Sequence, residues 1–193
     1  EAGYRLFGEN KVQDALAKSE LMDADHPGLE WAVIGGLQTN KAKYVARFAT
    51  EFQALDSLKV ARELDKRLQK EGRQLRVLVQ VNSSVEPQKS GIAPDEAVNF
   101  AKELAAFDSL DVRGLMTVAL NSSEPKAVAD CFDVVVGVQE KLRQEVNEVS
   151  DWSELSMGMS GDLEIAVAHG STQVRIGTDI FGARTDPAEI WRP

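Results

Sequence analysis

The sequence predicts an α/β protein whose parallel strands form a TIM barrel, the (β/α)8 fold. Three observations favour this class. Short apolar runs alternate with longer amphipathic runs along the 193 residues, no linker or change of composition divides them, and small residues crowd behind the last two apolar runs. Strands that are separated by helices pair in parallel through right-handed crossovers, which leaves a barrel or an open doubly wound sheet.

Seven short apolar runs predict the strands. Each is four to seven residues long and almost continuously hydrophobic, as expected for parallel strands that are covered on both faces. They occupy residues 4–7, 31–34, 52–55, 75–81, 112–118, 154–157 and 173–176.

Amphipathic segments between these runs predict helices. Residues 57–72 carry an apolar stripe of helical period, with Ser57 as an N-cap and Gly72 as a stop. Residues 93–107 begin with Pro94 in a first-turn position, and residues 122–146 repeat the pattern over a longer span.

The strand count decides between the two architectures. A closed TIM barrel needs eight strands and the sequence supplies seven, so we expect one strand and its helix to be missing. Because the chain begins with Glu1 rather than Met, the expected place for the missing unit is before Glu1. Residues 1–193 are then one N-terminally incomplete barrel domain, and an open seven-stranded sheet is the alternative.

Composition excludes several classes of partner. The formal charge of −9 would repel a nucleic acid or an anionic membrane, and no apolar stretch reaches the length of a membrane span. The single cysteine, Cys131, stands in an apolar run and cannot form an intrachain disulfide, which favours a reduced, cytoplasmic setting. The two histidines are not spaced as a metal pair, so we expect no metal site.

Small residues at the ends of the last two strands predict a phosphate site. A phosphate needs several backbone N–H donors at one point, and these can approach only where side chains are small. In a barrel, phosphate often binds at the loops after the last two strands. The residues that meet this requirement are Ser156, Gly158, Ser160 and Gly161, with Gly177 and Thr178 closing the site. The alternative is that the glycines serve tight turns and helix packing.

Arg175 is unusual because it lies inside an apolar strand, in the run QVRIG. A buried guanidinium is costly unless its donors are paired, so an anion or a lone pair must meet it. One interpretation is a structural ion pair with Glu9 or another carboxylate, and the other is an electrostatic contact to a bound ligand. Asp162 is an anion beside the predicted anion site, and we expect its carboxylate to cap the following helix and point outward.

Six segments together resemble the pyridoxal 5′-phosphate homeostasis protein family, of the YggS/PROSC type. They follow one another in order over nearly the whole chain, so the match is more specific than any one glycine motif. The segments are FGENKVQDAL (7–16), WAVIGGLQTNKAKYV (31–45), LDSLKVARELDKR (55–67), VLVQVNSSVEPQKSGI (77–92), VRGLMTV (112–118) and LSMGMSGDLEIAVAHGSTQVRIGTDIFGAR (155–184).

The resemblance implies a single-domain TIM barrel related to the N-terminal domain of alanine racemase. It also implies a protein that carries pyridoxal 5′-phosphate (PLP) without an established reaction and controls the supply of this cofactor. By resemblance, Asn10 lies near the PLP ring and Arg175 faces the pyridine nitrogen. The implied phosphate contacts are Ser156, Met159, Ser160, Gly161, Gly177 and Thr178.

The sequence departs from the family at the lysine that holds PLP covalently. That Schiff-base lysine lies at the end of the family's first strand, so we expect it upstream of Glu1 and assign no catalytic residue here. Lys11, Lys41 and Lys89 lie in other predicted loops and are expected to be solvated or packed in those loops. For the 193 residues we therefore expect weakened, non-covalent binding of PLP, phosphate or sulfate.

The function expected from these observations is PLP binding for vitamin B6 homeostasis, as a carrier rather than a catalyst. PLP is the expected ligand and PLP-dependent apoenzymes the possible recipients, and a monomer is expected. A PLP-dependent amino-acid racemase or lyase is one alternative. It is disfavoured because the chain ends about nine residues after FGAR, without the second domain that related racemases are implied to need. A phosphate-ligand barrel enzyme unrelated to PLP is the other alternative.

Overall fold

A computed structural model describes residues 3–182. Its seven strands form one sheet in the order β1-β2-β3-β4-β5-β6-β7, and every neighbouring pair is parallel. The seven predicted strands are confirmed, each to within two residues at either end. The strands are Leu6–Glu9 (β1), Glu30–Val33 (β2), Glu51–Leu55 (β3), Leu75–Gln80 (β4), Leu110–Met116 (β5), Glu154–Met159 (β6) and Gln173–Arg175 (β7).

A helix follows each strand. The helices are Val12–Met22 (α1), Ala42–Phe48 (α2), Leu58–Glu71 (α3), Ala97–Leu104 (α4), Pro125–Glu145 (α5), Leu163–Ala168 (α6) and Thr178–Phe181 (α7), and a 3-10 turn at Thr39–Lys41 precedes α2. The bounds predicted for α3 are confirmed, from the extended Ser57 to Gly72 in the left-handed region at φ 62°. The early start predicted at Pro94 is wrong, because α4 begins only at Ala97.

The late start of α4 has a structural cause. Ile92 pairs with Val81 beyond the end of β4, and its N–H donates to the carbonyl of Gln80 at 2.9 Å. Its own carbonyl accepts the N–H of Asn82 at 2.9 Å. These two bonds hold the chain extended against β4, so the helix cannot begin until the chain has turned away.

The sheet curls into a nearly closed TIM barrel, as the sequence predicts. Gln53 of β3 donates a 3.1 Å hydrogen bond to Gln173 of β7, although three strands separate the two in the sheet order. Side chains of such distant strands meet only if the sheet closes around them. Within residues 3–182, β1 and β7 are the edge strands and do not pair with each other.

Aliphatic side chains of the strands and helices form one continuous core. Trp152, just before β6, is fully buried and donates its indole N–H to the carbonyl of Val146 at 2.9 Å. Gly114 of β5 lies against β6, where an added Cβ would stand 1.9 Å from the carbonyl oxygen of Glu154. Only glycine therefore permits the observed spacing of β5 and β6 at this point.

Two sequence-based predictions extend outside the described residues. The domain was predicted over residues 1–193, and the last family-like segment ends at residue 184. Among the helices of residues 3–182, none is both long enough and apolar enough to cross a membrane.

Candidate functional site

The two small-residue loops predicted to bind phosphate leave from neighbouring strands. Met159 at the end of β6 is paired with Arg175 at the end of β7. Ser160 and Gly161 follow the first of these residues, and Gly177 follows the second by two positions. Parallel strands end on the same side, so both loops stand at the carboxyl-terminal rim of the barrel, where barrel proteins build their sites.

Gly158 permits the tight turn at the end of β6. Its φ of +97° is a conformation that side chains rarely adopt, and an added Cβ would stand 2.5 Å from the Cβ of Ala166 in α6. Gly161 is different, because an added Cβ would meet nothing within 4 Å. Packing thus requires glycine at position 158 but leaves open space at position 161.

Asp162 does not cap the following helix through its side chain, so the expectation of an outward-pointing cap is wrong. The residue occupies the N-cap position of α6 without a capping hydrogen bond from its side chain. Its carboxylate instead accepts the backbone N–H of Met159 at 2.5 Å. The bond closes the turn between β6 and α6 and places a negative charge in that loop.

Ser160 carries an unsatisfied hydroxyl. In the part of the chain that the structure describes, its Oγ is the only buried side-chain nitrogen or oxygen without a hydrogen-bond partner. A buried polar atom that lacks a partner costs about 1 to 3 kcal/mol. The hydroxyl stands beside Gly161 in the loop after β6 and is available to a ligand that brings a hydrogen-bonding oxygen.

Gly177 and Thr178 form the exposed side of this rim. Gly177 is the N-cap residue of the short helix α7, and Thr178 begins that helix. Both residues are exposed. The hydroxyl of Thr178 forms no hydrogen bond within residues 3–182. This side of the rim is therefore open to solvent.

Arg175 extends from β7 towards β5 and β6. Its Nη1 donates to the carbonyl of Ser156 at 2.8 Å and to the hydroxyl of the same residue at 2.7 Å. Its Nη2 donates to the carbonyl of Thr117 at 2.7 Å. The suggested ion pair with Glu9 is wrong, since Glu9 pairs with Lys18. No carboxylate in the described residues lies within ion-pair distance of Arg175.

Burial lowers the pKa of Arg175 to about 10, and the nearby charge of Asp162 opposes this by raising it. The guanidinium is thus positively charged at neutral pH. Its Nε–H and one hydrogen of Nη2 have no partner among the described residues, and these two donors are free for a ligand.

Ser156 lies deeper than the rim. It is fully buried, and its hydroxyl donates to Oε1 of Gln53 at 2.7 Å while it accepts from Arg175. A serine has one hydroxyl hydrogen, so in this arrangement Ser156 has none to offer a phosphate. Its predicted phosphate contact stays a prediction.

Sequence reasoning missed the polar partners of Ser156. Gln53 and Glu51 both lie on β3 and are buried, and Gln173 at the start of β7 completes the group. The available signal was two polar residues at alternate positions of the apolar run EFQAL, since alternate residues of a strand face the same side.

Asn10 stands at the end of β1, the opposite edge strand. Its side chain is exposed, and its carbonyl lies so close to Gly35 that a Cβ there would stand 2.3 Å from the oxygen. The structure therefore places Asn10 at the same end of the barrel as the loops after β6 and β7, on the β1 side.

The lysines considered in the sequence lie in loops near this end. Lys11 is exposed, and Lys41 donates to the side chain of Gln13 at 3.2 Å. Lys89 donates to the carbonyl of Ala119 at 3.2 Å and pairs with Glu86 at 2.5 Å. Every lysine between residues 3 and 182 is exposed or half-buried rather than enclosed in the barrel.

The histidines serve no metal site in the described structure. His169 follows the last turn of α6, and its Nδ1 lies 2.8 Å from the carbonyl of Ile165, as expected for a histidine at a helix end. Residues 3–182 contain no group of three or more His, Cys, Asp or Glu side chains that could hold a metal ion.

Comparison with known proteins identifies the family. The alanine racemase N-terminal domain family matches residues 1–185. The pyridoxal phosphate homeostasis protein of Vibrio cholerae is 39% identical over 186 residues, which cover 95% of this chain and 78% of that protein. The chain belongs to the pyridoxal phosphate homeostasis protein family. The Escherichia coli K12 member is also 39% identical, over 185 residues, with the same coverage of 95% and 78%.

Solved structures extend the match to the fold. PipY of Synechococcus elongatus without PLP superposes with a TM-score of 0.87 at 34% identity, covering 94% of this chain and 83% of PipY. PipY with PLP bound gives a TM-score of 0.85 at 33% identity, with the same coverage. Alanine racemase of Corynebacterium glutamicum, at 15% identity, shares the fold with a TM-score of 0.70 over 96% of this chain and 50% of the racemase.

Proposed function

We propose that this protein binds PLP at the carboxyl-terminal rim of the barrel and serves PLP homeostasis as a carrier rather than a catalyst. The observation that carries the proposal is that two groups with unused hydrogen-bonding capacity stand at the ends of adjacent strands. They are the buried hydroxyl of Ser160, which has no partner, and the guanidinium of Arg175, which is only partly satisfied. Family membership, relatives named for PLP homeostasis and the PLP-bound PipY structure support it.

The phosphate group fits the loops after β6 and β7. The hydroxyl of Ser160 lacks a partner, and Gly161 has open space where a side chain would stand, so backbone donors there can be approached closely. Gly177 and Thr178 offer an exposed N–H and hydroxyl from the neighbouring loop. Met159 joins this set only if its N–H exchanges the carboxylate of Asp162 for a phosphate oxygen.

The ring of PLP is assigned to Arg175 and Asn10. When bound, PLP supplies an electron sink for reactions of amino acids. A guanidinium that is protonated at neutral pH and faces the pyridine nitrogen keeps this nitrogen from accepting a proton, which weakens that sink. The free Nε–H and Nη2–H of Arg175 can make such a contact, and this arrangement favours holding the cofactor over driving chemistry.

The experiment is a binding titration that separates the phosphate from the rest of the cofactor. Purified protein is titrated with PLP and with pyridoxal, which lacks the phosphate, and its intrinsic fluorescence is followed. We expect PLP to bind at least tenfold more tightly than pyridoxal, and Ser160→Ala to weaken PLP binding about tenfold. The matched control is Ser109→Ala, which should leave binding unchanged. Ser109 is a buried serine just before β5, at the other end of the barrel.

Equal affinity for PLP and pyridoxal would exclude the phosphate site. Protection against heat by a sugar phosphate but not by PLP would favour a barrel enzyme of another substrate class. Racemisation of alanine or serine faster than with free PLP would show that the protein is a racemase rather than a carrier.

The remaining expectations are part of the same proposal. We infer that residues 1–193 act as one PLP-binding domain, supported by the single sheet and single core of the described residues. A cytoplasmic location, supported by the single buried Cys131, a monomeric state and delivery of PLP to apoenzymes stay predictions. Sedimentation velocity at two protein concentrations tests the monomer directly.

A further inference from the structure

A chain of buried polar side chains crosses the barrel below the proposed PLP site. It begins at Arg175, whose Nη1 donates to the hydroxyl of Ser156 at 2.7 Å. The Ser156 hydroxyl donates to Oε1 of Gln53 at 2.7 Å, and Nε2 of Gln53 donates to Glu51 at 2.5 Å. Three hydrogen bonds thus connect a guanidinium at the rim to a carboxylate near the amino-terminal end of β3.

The donors of this chain all point the same way. The guanidinium of Arg175 can only donate and the carboxylate of Glu51 can only accept when ionised, so the two ends fix the direction. Gln53 is held in one amide orientation, because its Nε2 also donates to Oε1 of Gln173 at 3.1 Å. The single hydrogen of Ser156 must then point to Gln53, which leaves its lone pairs for Arg175.

The hydrogen bonds run between two opposite charges, those of Arg175 and Glu51. Arg175 has no carboxylate within ion-pair distance among residues 3–182, so its direct partners are hydrogen-bond acceptors, and the charge of Asp162 acts on it only from farther away. Glu51 is only 2% exposed and lies 3.8 Å from its nearest cation, Arg76, which bonds more closely to Glu30 at 2.7 Å. Aligned hydrogen bonds polarise one another in a poorly screened interior. The carboxylate of Glu51 is therefore coupled to Arg175 through Gln53 and Ser156.

The geometry points to Ser156, Gln53 and Glu51 as positioning residues that hold the guanidinium of Arg175 in the orientation that meets the ring nitrogen of the cofactor. This inference rests on the proposed PLP site and deepens it. Two donors of Nη1 are fixed by Ser156, so rotation of the guanidinium is blocked and the free Nε–H and Nη2–H keep one direction. None of the three positioning residues needs to touch the ligand.

The test compares two ligands that differ in one ring atom. Pyridoxine 5′-phosphate has the ring nitrogen and no aldehyde, so it binds without covalent chemistry. Its benzene-ring analogue has a C–H in place of the nitrogen. A residue that orients Arg175 towards the nitrogen changes the ratio of the two dissociation constants, whereas a residue that only stabilises the barrel changes both constants alike.

Two variants probe the chain at its two ends. Ser156→Ala removes the hydroxyl, one of the two acceptors for Nη1, and keeps the carbonyl. It should weaken pyridoxine phosphate about tenfold while the analogue changes less than about twofold. Glu51→Gln keeps an acceptor oxygen for Gln53 but removes the charge. It should also reduce the preference for pyridoxine phosphate over the analogue, by about threefold. Ser109→Ala is again the matched serine control, and both constants should match those of the unmodified protein.

Each outcome decides the inference. Equal loss of affinity for both ligands in Ser156→Ala, or an unchanged ratio in Glu51→Gln, would overturn the positioning role and leave the PLP site intact. If Ser156→Ala does not fold, the Glu51→Gln ratio decides alone. Failure of the unmodified protein to bind either phosphate ligand would overturn the proposed function, and this inference with it.

Discussion

The backbone N–H of Met159 donates to the carboxylate of Asp162 at 2.5 Å, so an acidic side chain of the protein occupies a donor of the proposed phosphate loop. A phosphate that approaches this loop meets the charge of Asp162 as well as the donors of Ser160 and Gly161. Two anions that compete for one set of donors repel each other, and the repulsion is screened by salt. Asp162 is thus an internal competitor for the phosphate proposed to bind this loop.

Asp162→Asn should tighten phosphate binding. The asparagine keeps a side-chain oxygen that accepts the N–H of Met159, but it removes the negative charge beside the site. We expect inorganic phosphate and pyridoxine phosphate to bind about threefold to tenfold more tightly at low salt, with a smaller gain at about 0.5 M salt. Isothermal titration calorimetry at two ionic strengths measures both values.

The matched control for this change is Asp151→Asn. Asp151 also accepts a backbone N–H, from Ser153 at 3.0 Å, but it precedes β6 and so lies at the other end of the barrel. Its replacement should leave phosphate affinity unchanged. Weaker binding in Asp162→Asn would show instead that the charge of Asp162 organises the loop.

The charge of Arg175 should appear as an alkaline limit to anion binding. Burial lowers the pKa of this guanidinium to about 10, and only its protonated form attracts an anion. Its contribution to affinity is therefore complete below that pH and is lost as the pH rises through about 10. Phenyl phosphate is a suitable probe because it stays a dianion between pH 8 and pH 11.

Arg175→Met isolates the contribution of Arg175 from that of every other group. In the unmodified protein, phenyl phosphate should bind more weakly as the pH rises through about 10, while the methionine variant binds weakly at every pH and lacks that step. Circular dichroism at each pH checks that the fold persists. A step of the same size in both proteins would assign the titration to other groups.

Two neighbouring glycines should separate stability from binding. Gly158→Ala places a Cβ 2.5 Å from Ala166 at a φ of +97°, and we expect it to lower the free energy of unfolding by about 2 to 3 kcal/mol. Gly161→Ala meets nothing within 4 Å, so the expected change is within about 0.5 kcal/mol. Urea unfolding followed by circular dichroism measures both.

The glycine substitution that leaves stability unchanged should weaken phosphate binding. Gly161→Ala should weaken pyridoxine phosphate severalfold without loss of stability, because the added methyl group occupies the open space beside the proposed donors. Unchanged affinity in this variant would remove Gly161 from the phosphate contacts.

No lysine between residues 3 and 182 should react selectively with PLP. Lys11 is exposed, and Lys41 and Lys89 are held by hydrogen bonds in separate loops, so none is enclosed in the barrel beside the proposed PLP site. Treatment of these 193 residues with PLP and borohydride should label several lysines in small yield. Peptide mass spectrometry that finds one fully labelled lysine would contradict this expectation.

The sequence predicted the strands because parallel strands buried on both faces leave uninterrupted apolar runs. It misplaced the start of α4 because Ile92 is held against β4 by a pairing between residues 81 and 92 that no local pattern records. Pro94 is well suited to a first helical turn, but the long-range pairing takes precedence over this local preference.

The positions of the proposed site residues at the strand ends were predictable from the sequence, and their contacts were not. Arg175 was conspicuous as a charge within an apolar strand, yet its partners Ser156 and Thr117 lie 19 and 58 residues away in the chain. Gln53 escaped notice because it lies within a run chosen for being hydrophobic. The direction taken by the carboxylate of Asp162 depends on which donor is left free by the turn after β6, and spacing along the chain does not encode this.

Gly114 shows how a defect in ligand retention can arise far from the ligand. Any side chain at this position would force β5 away from Glu154, two residues before Ser156. In a genetic screen, replacement of Gly114 would then be scored as a vitamin B6 phenotype, although Gly114 lies within β5 and not in the proposed PLP-binding loops. Variant effects in this barrel should accordingly be interpreted along the strands as well as around the rim.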